Sequence, residues 1–315
     1  MLNAETNTEK FFQRLKHRLP DANKGTYGKV LIAAGSSGMS GAAYLSGLAA
    51  YRAGAGLIKL LTAEDNRTIL QTLLPEAIVT TYGEHSDVTK LCGDALAWAD
   101  FLVLGPGIGR SSTAGTMLSA LLSRAAAIEK RIPCLVDADG LNLLAAQPAR
   151  LESLKTLSQP LLLTPHPMEM ARLTGRELRE ILAAPEEIAA ELASRLGCVI
   201  IMKGARSFVV DGKSGCCFRS LQSAPALAKG GSGDVLSGLC AGVYEILAAG
   251  EDKENESICR ERLYTAAVLS VLLHVEAGNR AAARLGEHAV LAGDTAAEIG
   301  MTIQAHINGK AENEL

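Results

Sequence analysis

Short apolar runs alternate along most of this sequence with longer stretches whose apolar residues recur at helical spacing. Six runs have the length and composition of buried strands: 30–34, 57–62, 101–104, 134–136, 161–164 and 199–202. The stretches between them include three predicted helices, at 40–53, 112–128 and 186–196. Strands that are apolar along their whole length and separated by helices are typical of a parallel sheet covered on both faces. The sequence therefore predicts an α/β fold with one mostly parallel central sheet.

The pattern changes after Lys203. Two short apolar runs, 207–210 and 216–219, flank the turn-forming segment Asp-Gly-Lys-Ser-Gly. This arrangement favours a hairpin, which would give the sheet an antiparallel edge. Beyond it, residues 234–305 have a helical pattern that is interrupted by a polar break at 250–257.

The two ends of the chain differ in composition from the rest. Residues 1–23 are expected to form an N-terminal helical extension, and residues 306–315 a frayed, flexible tail. Since no linker, repeat or low-complexity segment divides the sequence, we expect a single domain over residues 1–315.

Charge and composition exclude several classes of protein. Lys and Arg number 31 against 34 Asp and Glu, and the resulting net charge of −3 lacks the positive excess that nucleic-acid binding requires. The first twenty residues mix charges of both signs, unlike a signal peptide, and no apolar stretch has the roughly 20 residues of a membrane span. The seven cysteines form no C-x-x-C pair, which is typical of reduced thiols. We therefore expect a cytoplasmic protein with a small ligand.

The segments that follow the predicted strands are rich in glycine and polar residues. Ligands of an open parallel sheet bind beyond the carboxyl ends of its strands, where these segments lie. A glycine there often serves only the turn, but five such segments on one edge indicate a binding site. They are Gly35–Gly41, Gly105–Gly109, Asp137–Asn142, Thr164–Glu169 and Lys203–Ser207.

A sixth glycine-rich segment, Ala228–Asp234, comes directly before a predicted helix. Free backbone N–H groups and the helix dipole attract phosphate at such a position. Neither the P-loop nor the dinucleotide pattern fits, because Asp234 and Leu236 occupy the places of required residues. Asp234 has two interpretations. It could cap the helix, at roughly 1 kcal/mol, or it could be the base that takes a proton from an attacking hydroxyl during phosphoryl transfer. A carboxylate beside an anion site favours the second.

Two further residues are candidates for ligand contact. His166 lies between two prolines after a strand, and we interpret it as a ligand contact rather than a packing residue. Glu169 would either approach a magnesium–phosphate group or stabilise the start of the following helix. The other histidines, including His274, show no metal-ligand spacing and are interpreted as structural or solvated.

Six segments, in this order, resemble the ADP/ATP-dependent NAD(P)H-hydrate dehydratases of the ribokinase-like superfamily. They are KGTYGKVLIAAGSSGMSGAAYLSGLAAYRAGAG, LGPGIG, DADGLNLL, TPHPMEMARLTG, VIIMKGAR and ALAKGGSGDVLSGLCAG. The resemblance extends from about residue 24 to residue 300 and implies a ribokinase-like fold. Members of the family use a nucleotide to phosphorylate the hydroxyl group of hydrated NADH or NADPH. The hydroxyl then leaves as phosphate, which restores the dihydronicotinamide.

The resemblance also implies which residues bind each ligand. It places Ala42, Gly107, His166 and Asp234 at the hydrated dinucleotide, with Asp234 as the general base, and Lys203, Gly204, Ala205, Arg206, Ser207 and Gly233 around the adenine nucleotide. It implies ADP or ATP as co-substrate, together with Mg²⁺, and a homo-oligomer, with a tetramer favoured. The family usually carries Asn-Pro before the anion loop, where this chain has Ser223-Ala224-Pro225. Because the residues before Lys24 are too few for the epimerase domain that many members carry, a separate epimerase chain is the implied functional partner.

Two alternatives to dehydration would use the same residues. A small-molecule kinase of the superfamily, acting on a vitamin-precursor alcohol, would have a similar anion loop, but the T-P-H-P-x-E and G-P-G-x-G segments favour the dehydratase. A regulatory protein that senses nucleotide without turnover would be expected to lack the base, and Asp234 is present.

Overall fold

The computed structural model describes residues 5–313, and within them nine strands form one sheet. The strands are β1 Lys29–Ala33, β2 Leu57–Ala63, β3 Ile78–Tyr82, β4 Phe101–Leu104, β5 Cys134–Val136, β6 Leu161–Leu163, β7 Val199–Met202, β8 Phe208–Asp211 and β9 Cys217–Arg219. Their order is β3-β2-β1-β4-β5-β6-β7-β8-β9. The first seven strands pair in parallel, whereas β8 and β9 pair antiparallel. The mostly parallel sheet with an antiparallel edge is therefore confirmed.

Helices cover both faces of the sheet, as the α/β prediction requires. They are α1 Glu9–Phe12, α2 Ser40–Ala53, α3 Arg67–Leu73, α4 Val88–Trp98, α5 Ser112–Ala127, α6 Asp139–Ala145, α7 Pro148–Ser153, α8 Pro167–Thr174, α9 Leu178–Ala183, α10 Pro185–Leu196, α11 Ser232–Ala248, α12 Glu256–Leu285 and α13 Ala292–Asn313. The three predicted helices match α2, α5 and α10 to within one residue at each end. No helix within residues 5–313 is both long and apolar enough to cross a membrane.

The alternation of side chains along the strands explains their continuous apolar character. In β1, Val30 and Ile32 pack into one core with α2, α11 and α12, whereas Leu31 packs into a second core with α4, α5 and α10. Because both faces of the central strands are buried, every position of β4 to β7 and every buried position of β1 is apolar. Strand β3 was not predicted. It lies at the edge of the sheet and is only partly buried, so it carries no such run.

Helices α2 and α11 lie in direct backbone contact. A Cβ atom added to Gly238 would lie 1.9 Å from the carbonyl oxygen of Ser46, and one added to Gly242 would lie 2.6 Å from that of Ala50. Glycine is thus required at both positions of α11, and the two helices pack closely there. The first turns of both helices lie at the carboxyl edge of the sheet.

The two ends of the chain differ from expectation. Helix α1 has only four residues, and Glu5 forms a parallel bridge with Phe218, so most of the expected N-terminal helical extension is not helical. Phe11 of this segment is buried edge-on against Phe218 and Tyr264, and this contact fixes the N-terminal segment on the rest of the protein. Residues 1–4 lie outside the described residues.

Residues 306–313, expected to be frayed, continue helix α13. His306 explains the start of this continuation, because its ring stacks on Phe12 with centroids 3.6 Å apart and its Nε2 lies 2.6 Å from Glu276. Residues 314 and 315 lie outside the described residues.

Candidate active site

The glycine-rich segments after β1 and β4 are joined by backbone hydrogen bonds. Gly35 N–H donates to the carbonyl of Pro106 at 2.9 Å, and Ser36 N–H donates to that of Gly107 at 2.6 Å. Gly107 has φ +59°, and a Cβ atom on it would lie 2.8 Å from the Cβ of Ala42. The structure therefore brings Ala42 and Gly107 into contact, as expected if both face one ligand.

The segment after β5 carries two carboxylates that point to different partners. Between them Ala138 has φ +49°, a sparsely populated conformation for a residue with a side chain, which costs of order 1–3 kcal/mol. Asp137 turns into the protein, with only 1% of its surface exposed. Asp139, the first residue of α6, accepts a hydrogen bond from Gly109 N–H at 3.0 Å. The strained turn thus buries the carboxylate of Asp137 and leaves that of Asp139 partly exposed at the carboxyl edge of the sheet.

Asp137 and Lys203 form a buried ion pair at the end of β5 and β7. Lys203 Nζ lies 2.6 Å from Asp137 Oδ1 and 3.8 Å from Glu169 Oε2, and Ser237 Oγ donates to Asp137 Oδ2 at 2.7 Å. Burial alone would raise the pKa of Asp137. The positive charge of Lys203, together with the hydrogen bonds donated by Lys203 and Ser237, nevertheless holds this pKa below its ordinary value. Burial likewise opposes the charge of Lys203, yet the carboxylates around it raise its pKa. Both groups are therefore charged.

Asp234 is the third residue of α11, and Gly231, with φ +93°, is the N-cap. The helix-cap interpretation of Asp234 is therefore wrong. The hydrogen bonds found within residues 5–313 include none to its carboxylate, whose pKa is raised to about 7 by burial and then by the negative charge of Asp137, against the effect of Lys203. A carboxyl group with this pKa and no partner can accept a proton near neutral pH.

The start of α11 faces the ion pair. A Cβ atom on Gly233 would lie 3.6 Å from Lys203 Nζ and 3.8 Å from Asp137 Oδ2. The free N–H groups of a helix start and a buried ammonium thus converge on one position. This position, next to Asp234, suits the phosphoryl group of a bound nucleotide.

His166 is the N-cap of α8, a role that the sequence did not predict. Its Nδ1 accepts from the N–H groups of Met168 at 3.1 Å and Glu169 at 3.4 Å, while Glu169 Oε2 accepts from His166 N–H at 2.9 Å. Nδ1 is therefore an acceptor, so the neutral ring carries its proton on Nε2, which lies 3.2 Å from Glu169 Oε1. Of the two interpretations of Glu169, stabilisation of the helix start describes these contacts.

A cleft of about 750 Å³ lies beside the start of α11. It is lined by five of the six residues expected at the adenine nucleotide, namely Lys203, Gly204, Ala205, Ser207 and Gly233, and also by His166. Arg206 is exposed and does not line it. The substituted segment Ser223-Ala224-Pro225 forms part of the wall. Ala42, Gly107 and Asp234 lie outside this cleft, as a site for a second ligand requires.

Two contributors to the site were not identified from the sequence. Asp137 belongs to a segment that we singled out, but its partner Lys203 is 66 residues away along the chain. His274 of α12 was interpreted as structural or solvated, yet it lines the cleft together with Val271 and Val275, which lie on the same face of the helix. It is buried, its Nε2 has no partner among residues 5–313, and burial lowers its pKa to about 4, so the ring is neutral.

The sequence is similar to those of known proteins over most of its length. The sequence profile of the NAD(P)H-hydrate dehydratase family matches residues 30–304. The ADP-dependent (S)-NAD(P)H-hydrate dehydratase of Xanthomonas campestris is 35% identical over 286 residues, which are 89% of each chain. The bifunctional NAD(P)H-hydrate repair enzyme Nnr of Escherichia coli is 32% identical over 310 residues, 98% of this chain and 54% of that protein. This chain thus spans about half the length of the bifunctional relatives it matches.

Solved structures of proteins described as members of this family or of the ribokinase-like superfamily have the same fold. The crystal structure of the ADP/ATP-dependent NAD(P)H-hydrate dehydratase of Bacillus subtilis, co-crystallized with ATP/Mg²⁺, matches with a TM-score of 0.77 and 27% identity over 97% of this chain and 100% of that one. A ribokinase-like superfamily protein of Enterococcus faecalis matches in fold with a TM-score of 0.79. The sequence match over residues 30–304 and the shared ribokinase-like fold show that the chain belongs to the NAD(P)H-hydrate dehydratase family.

Proposed function

We propose that the protein dehydrates the (6S) form of hydrated NADH or NADPH at the expense of ADP or ATP, and releases phosphate together with AMP or ADP. One observation carries this proposal: the carboxylate of Asp234, which has no hydrogen-bond partner within residues 5–313, lies beside the Lys203–Asp137 pair at the start of α11. Relatives that cover most of this chain are named as ADP-dependent dehydratases of this substrate, which supports ADP as the donor.

The reaction begins with transfer of a phosphoryl group to the hydroxyl at C6 of the hydrated ring. Asp234 takes the hydroxyl proton, the oxygen attacks the terminal phosphorus of the nucleotide, and the bridging P–O bond breaks so that AMP or ADP leaves. The phosphate ester at C6 then leaves with its bonding electrons as the ring nitrogen donates its lone pair. Loss of a proton from C5 to the departing phosphate or to water completes the C5–C6 double bond. Hydroxide is a poor leaving group and phosphate a good one, so the nucleotide drives the dehydration.

The side chains contribute position and charge. Lys203 and the N–H groups at the start of α11 bind the phosphoryl oxygens, on which negative charge increases during transfer. Asp137 holds the ammonium of Lys203 at this position. Ala42 and Gly107 leave space for close approach of the ring, because neither extends a side chain beyond Cβ. The protein thus acts mainly by orienting two ligands and by accepting one proton.

Mg²⁺ accompanies nucleotide phosphates in most phosphoryl-transfer sites, and it is usually held by one or two carboxylates plus phosphate oxygens. Within residues 5–313 no cluster of three His, Cys, Asp or Glu side chains forms a metal cage. Glu169 is buried beside Lys203, but both of its oxygens already contact His166. These residues fit an ion that the nucleotide phosphates would hold, and Glu169 would reach it only by giving up a contact with His166. Such an ion would neutralise phosphate charge.

The proposal includes a functional partner and a subunit state. An epimerase on a separate chain would convert the other epimer of the hydrate into the substrate, and the reaction would take place in the cytoplasm. A homo-oligomer, with a tetramer favoured, is expected from the family resemblance alone. Helices α11 and α12 are largely buried within one chain and give a contact between subunits no support.

The test is incubation of purified protein with hydrated NADH and either ADP or ATP. Return of the dihydronicotinamide absorbance near ~340 nm, with one phosphate released per ring restored, is the expected result. Turnover without nucleotide would contradict the mechanism. Phosphorylation of a vitamin-precursor alcohol, with no dehydration of the hydrate, would instead assign the protein to the kinases of the superfamily.

A further inference from the structure

A second large cleft, of about 800 Å³, lies between α5 and the helix pair α6–α7. It begins at Arg110, which directly follows the glycine-rich segment after β4. The nucleotide cleft is lined by segments that follow β6 and β7, and Asp137 and Asp139 follow β5 between the two. The reaction centre therefore has one large cleft on each side.

Two arginines line the second cleft. Arg150 of α7 makes no ion pair with any carboxylate among residues 5–313, and its Nη1 is buried without a partner. Arg110 is 60% exposed, and its Nε lies 3.5 Å from Asp139 Oδ1. A guanidinium group is always charged, and burial of its N–H groups without an acceptor is unfavourable. Arg150 thus lacks an anionic or strongly accepting partner that a ligand could supply.

The rest of the lining consists largely of small hydrogen-bonding side chains. Residues 112, 116, 119 and 123 of α5 share one face of that helix and carry hydroxyl groups. Asn142 and Gln147 face them from the other side of the cleft. Hydroxyl and amide groups bind sugar hydroxyls and phosphate oxygens, whereas they offer little to an apolar ligand. The cleft therefore suits a sugar phosphate.

The proposed reaction requires a place for such a group. When the hydrated ring lies at Asp234, the pyrophosphate and adenosine of the same substrate molecule must extend away from the reaction centre at Asp234. The cleft beside Lys203 is required for the adenine nucleotide that supplies the phosphoryl group. Arg110 adjoins the reaction centre, and Arg150 lies beyond the far end of α6, whose seven residues span about 10 Å.

Resting on the proposed function, we propose that the second cleft binds the adenosine half of the hydrated dinucleotide. Arg110 contacts the pyrophosphate, which both substrates contain, and Arg150 contacts the 2′-phosphate, which only NADPH-hydrate contains. Arg150 is thus the residue that distinguishes the two substrates.

The test compares Arg110→Gln, Arg150→Gln and the control Arg124→Gln in steady-state kinetics with both hydrates. Loss of a charge-assisted hydrogen bond weakens binding by about tenfold to a hundredfold. Arg150→Gln should raise KM by this factor for NADPH-hydrate and by much less for NADH-hydrate, whereas Arg110→Gln should raise both. KM for ADP should not change in either variant. Arg124 is exposed on α5 outside the cleft, so its substitution should change none of these values.

A variant on the opposite wall provides a second measurement if Arg150→Gln does not fold. Ser123 is exposed in the cleft, and Ser123→Asp adds a negative charge there, which should raise KM for NADPH-hydrate selectively. The same fold-change in KM for both hydrates, or no change in either, in folded Arg150→Gln and Ser123→Asp would overturn the proposal. So would a change in subunit mass by light scattering with unchanged KM, which would assign the cleft to a contact between subunits.

Direct binding separates this proposal from the proposed function. Calorimetric titration with NADPH and NADH, which are products of the reaction, needs no turnover. If the wild-type protein binds NADPH through Arg150 but does not dehydrate the hydrate, the function is wrong and the cleft assignment stands. If turnover is normal and Arg150→Gln leaves the affinity for NADPH unchanged, the cleft assignment is wrong and the function stands.

Discussion

Asp234→Asn should make the protein more stable and nearly inactive at the same pH. Loss of a general base typically lowers a rate by roughly 10²–10⁴-fold. The substitution also removes a negative charge that the folded protein disfavours, since the pKa of Asp234 is raised to about 7 by burial and by Asp137. A residue with a merely structural role would show the opposite pair of effects, with loss of stability and little change in rate.

The expected gain in stability follows from the same pKa. Each pKa unit between the folded and unfolded states corresponds to about 1.4 kcal/mol, so a rise from 3.8 to about 7 costs the folded wild-type protein about 4 kcal/mol once Asp234 is ionised. Part of the side chain meets solvent, which reduces the cost, and we expect about 2–4 kcal/mol. Between these two pKa values the folded state retains a proton that the unfolded chain has released. The cost therefore increases from about pH 4 and is complete above about pH 7.

Urea unfolding of both proteins at pH 4 and pH 8 measures this difference. The variant should exceed the wild type in free energy of unfolding at pH 8 and nearly equal it at pH 4. The exposed Asp21, replaced by Asn, is the matched control and should show no such dependence. In parallel, kcat/KM of the wild type should fall tenfold per pH unit below about pH 7. Equal stability of Asp234→Asn and wild type at pH 8, or a near wild-type rate for the variant, would refute the reasoning.

Three further predictions concern residues around this centre. Asp137→Asn should move the acidic limb of the pH–rate profile to lower pH, because the charge of Asp137 raises the pKa of Asp234. The same substitution should weaken ADP binding by about tenfold, because Lys203 loses its partner, and an unchanged profile with an unchanged KM for ADP would contradict both expectations. Gly105→Ala should lower the free energy of unfolding by at least about 2 kcal/mol in urea titration, because Gly105 has φ +127° and a Cβ atom there would lie 1.9 Å from the carbonyl oxygen of Asp137. The ring of His274 should show no ionisation above pH 5 in an NMR titration, since burial lowers its pKa to about 4, and a midpoint near pH 6.5 would be the contrary result.

The predictable part of the fold is the part in which every residue faces the core. Strands such as β4, with all four residues buried, appear in the sequence as uninterrupted apolar runs. The exposed edge strand β3 lacks such a run, and the N-terminal segment follows the burial of Phe11 rather than its helical pattern. Long-range packing, which local spacing does not encode, decides both cases.

The candidate site likewise has one part that the sequence predicts and another that it does not. Glycine segments at strand ends locate the edge, because backbone conformation at positions such as Gly107 depends on the residue itself. The pair of Asp137 and Lys203 depends instead on which strands become neighbours, and only the order β5-β6-β7 brings the two side chains together. The helix cap made by His166 was missed because histidine is an unusual residue at that position.

The backbone contact between α2 and α11 has a consequence for how this enzyme family could change. Ala42 lies in the first turn of α2 and Asp234 in that of α11, and Ser46 Oγ donates to the carbonyl of Asp234 at 3.0 Å. No side chain separates the helices at Gly238, so their spacing cannot adjust gradually by substitution there. Selection for a new substrate would therefore act through the walls of the two clefts, while the spacing between Ala42 and Asp234 is inherited unchanged.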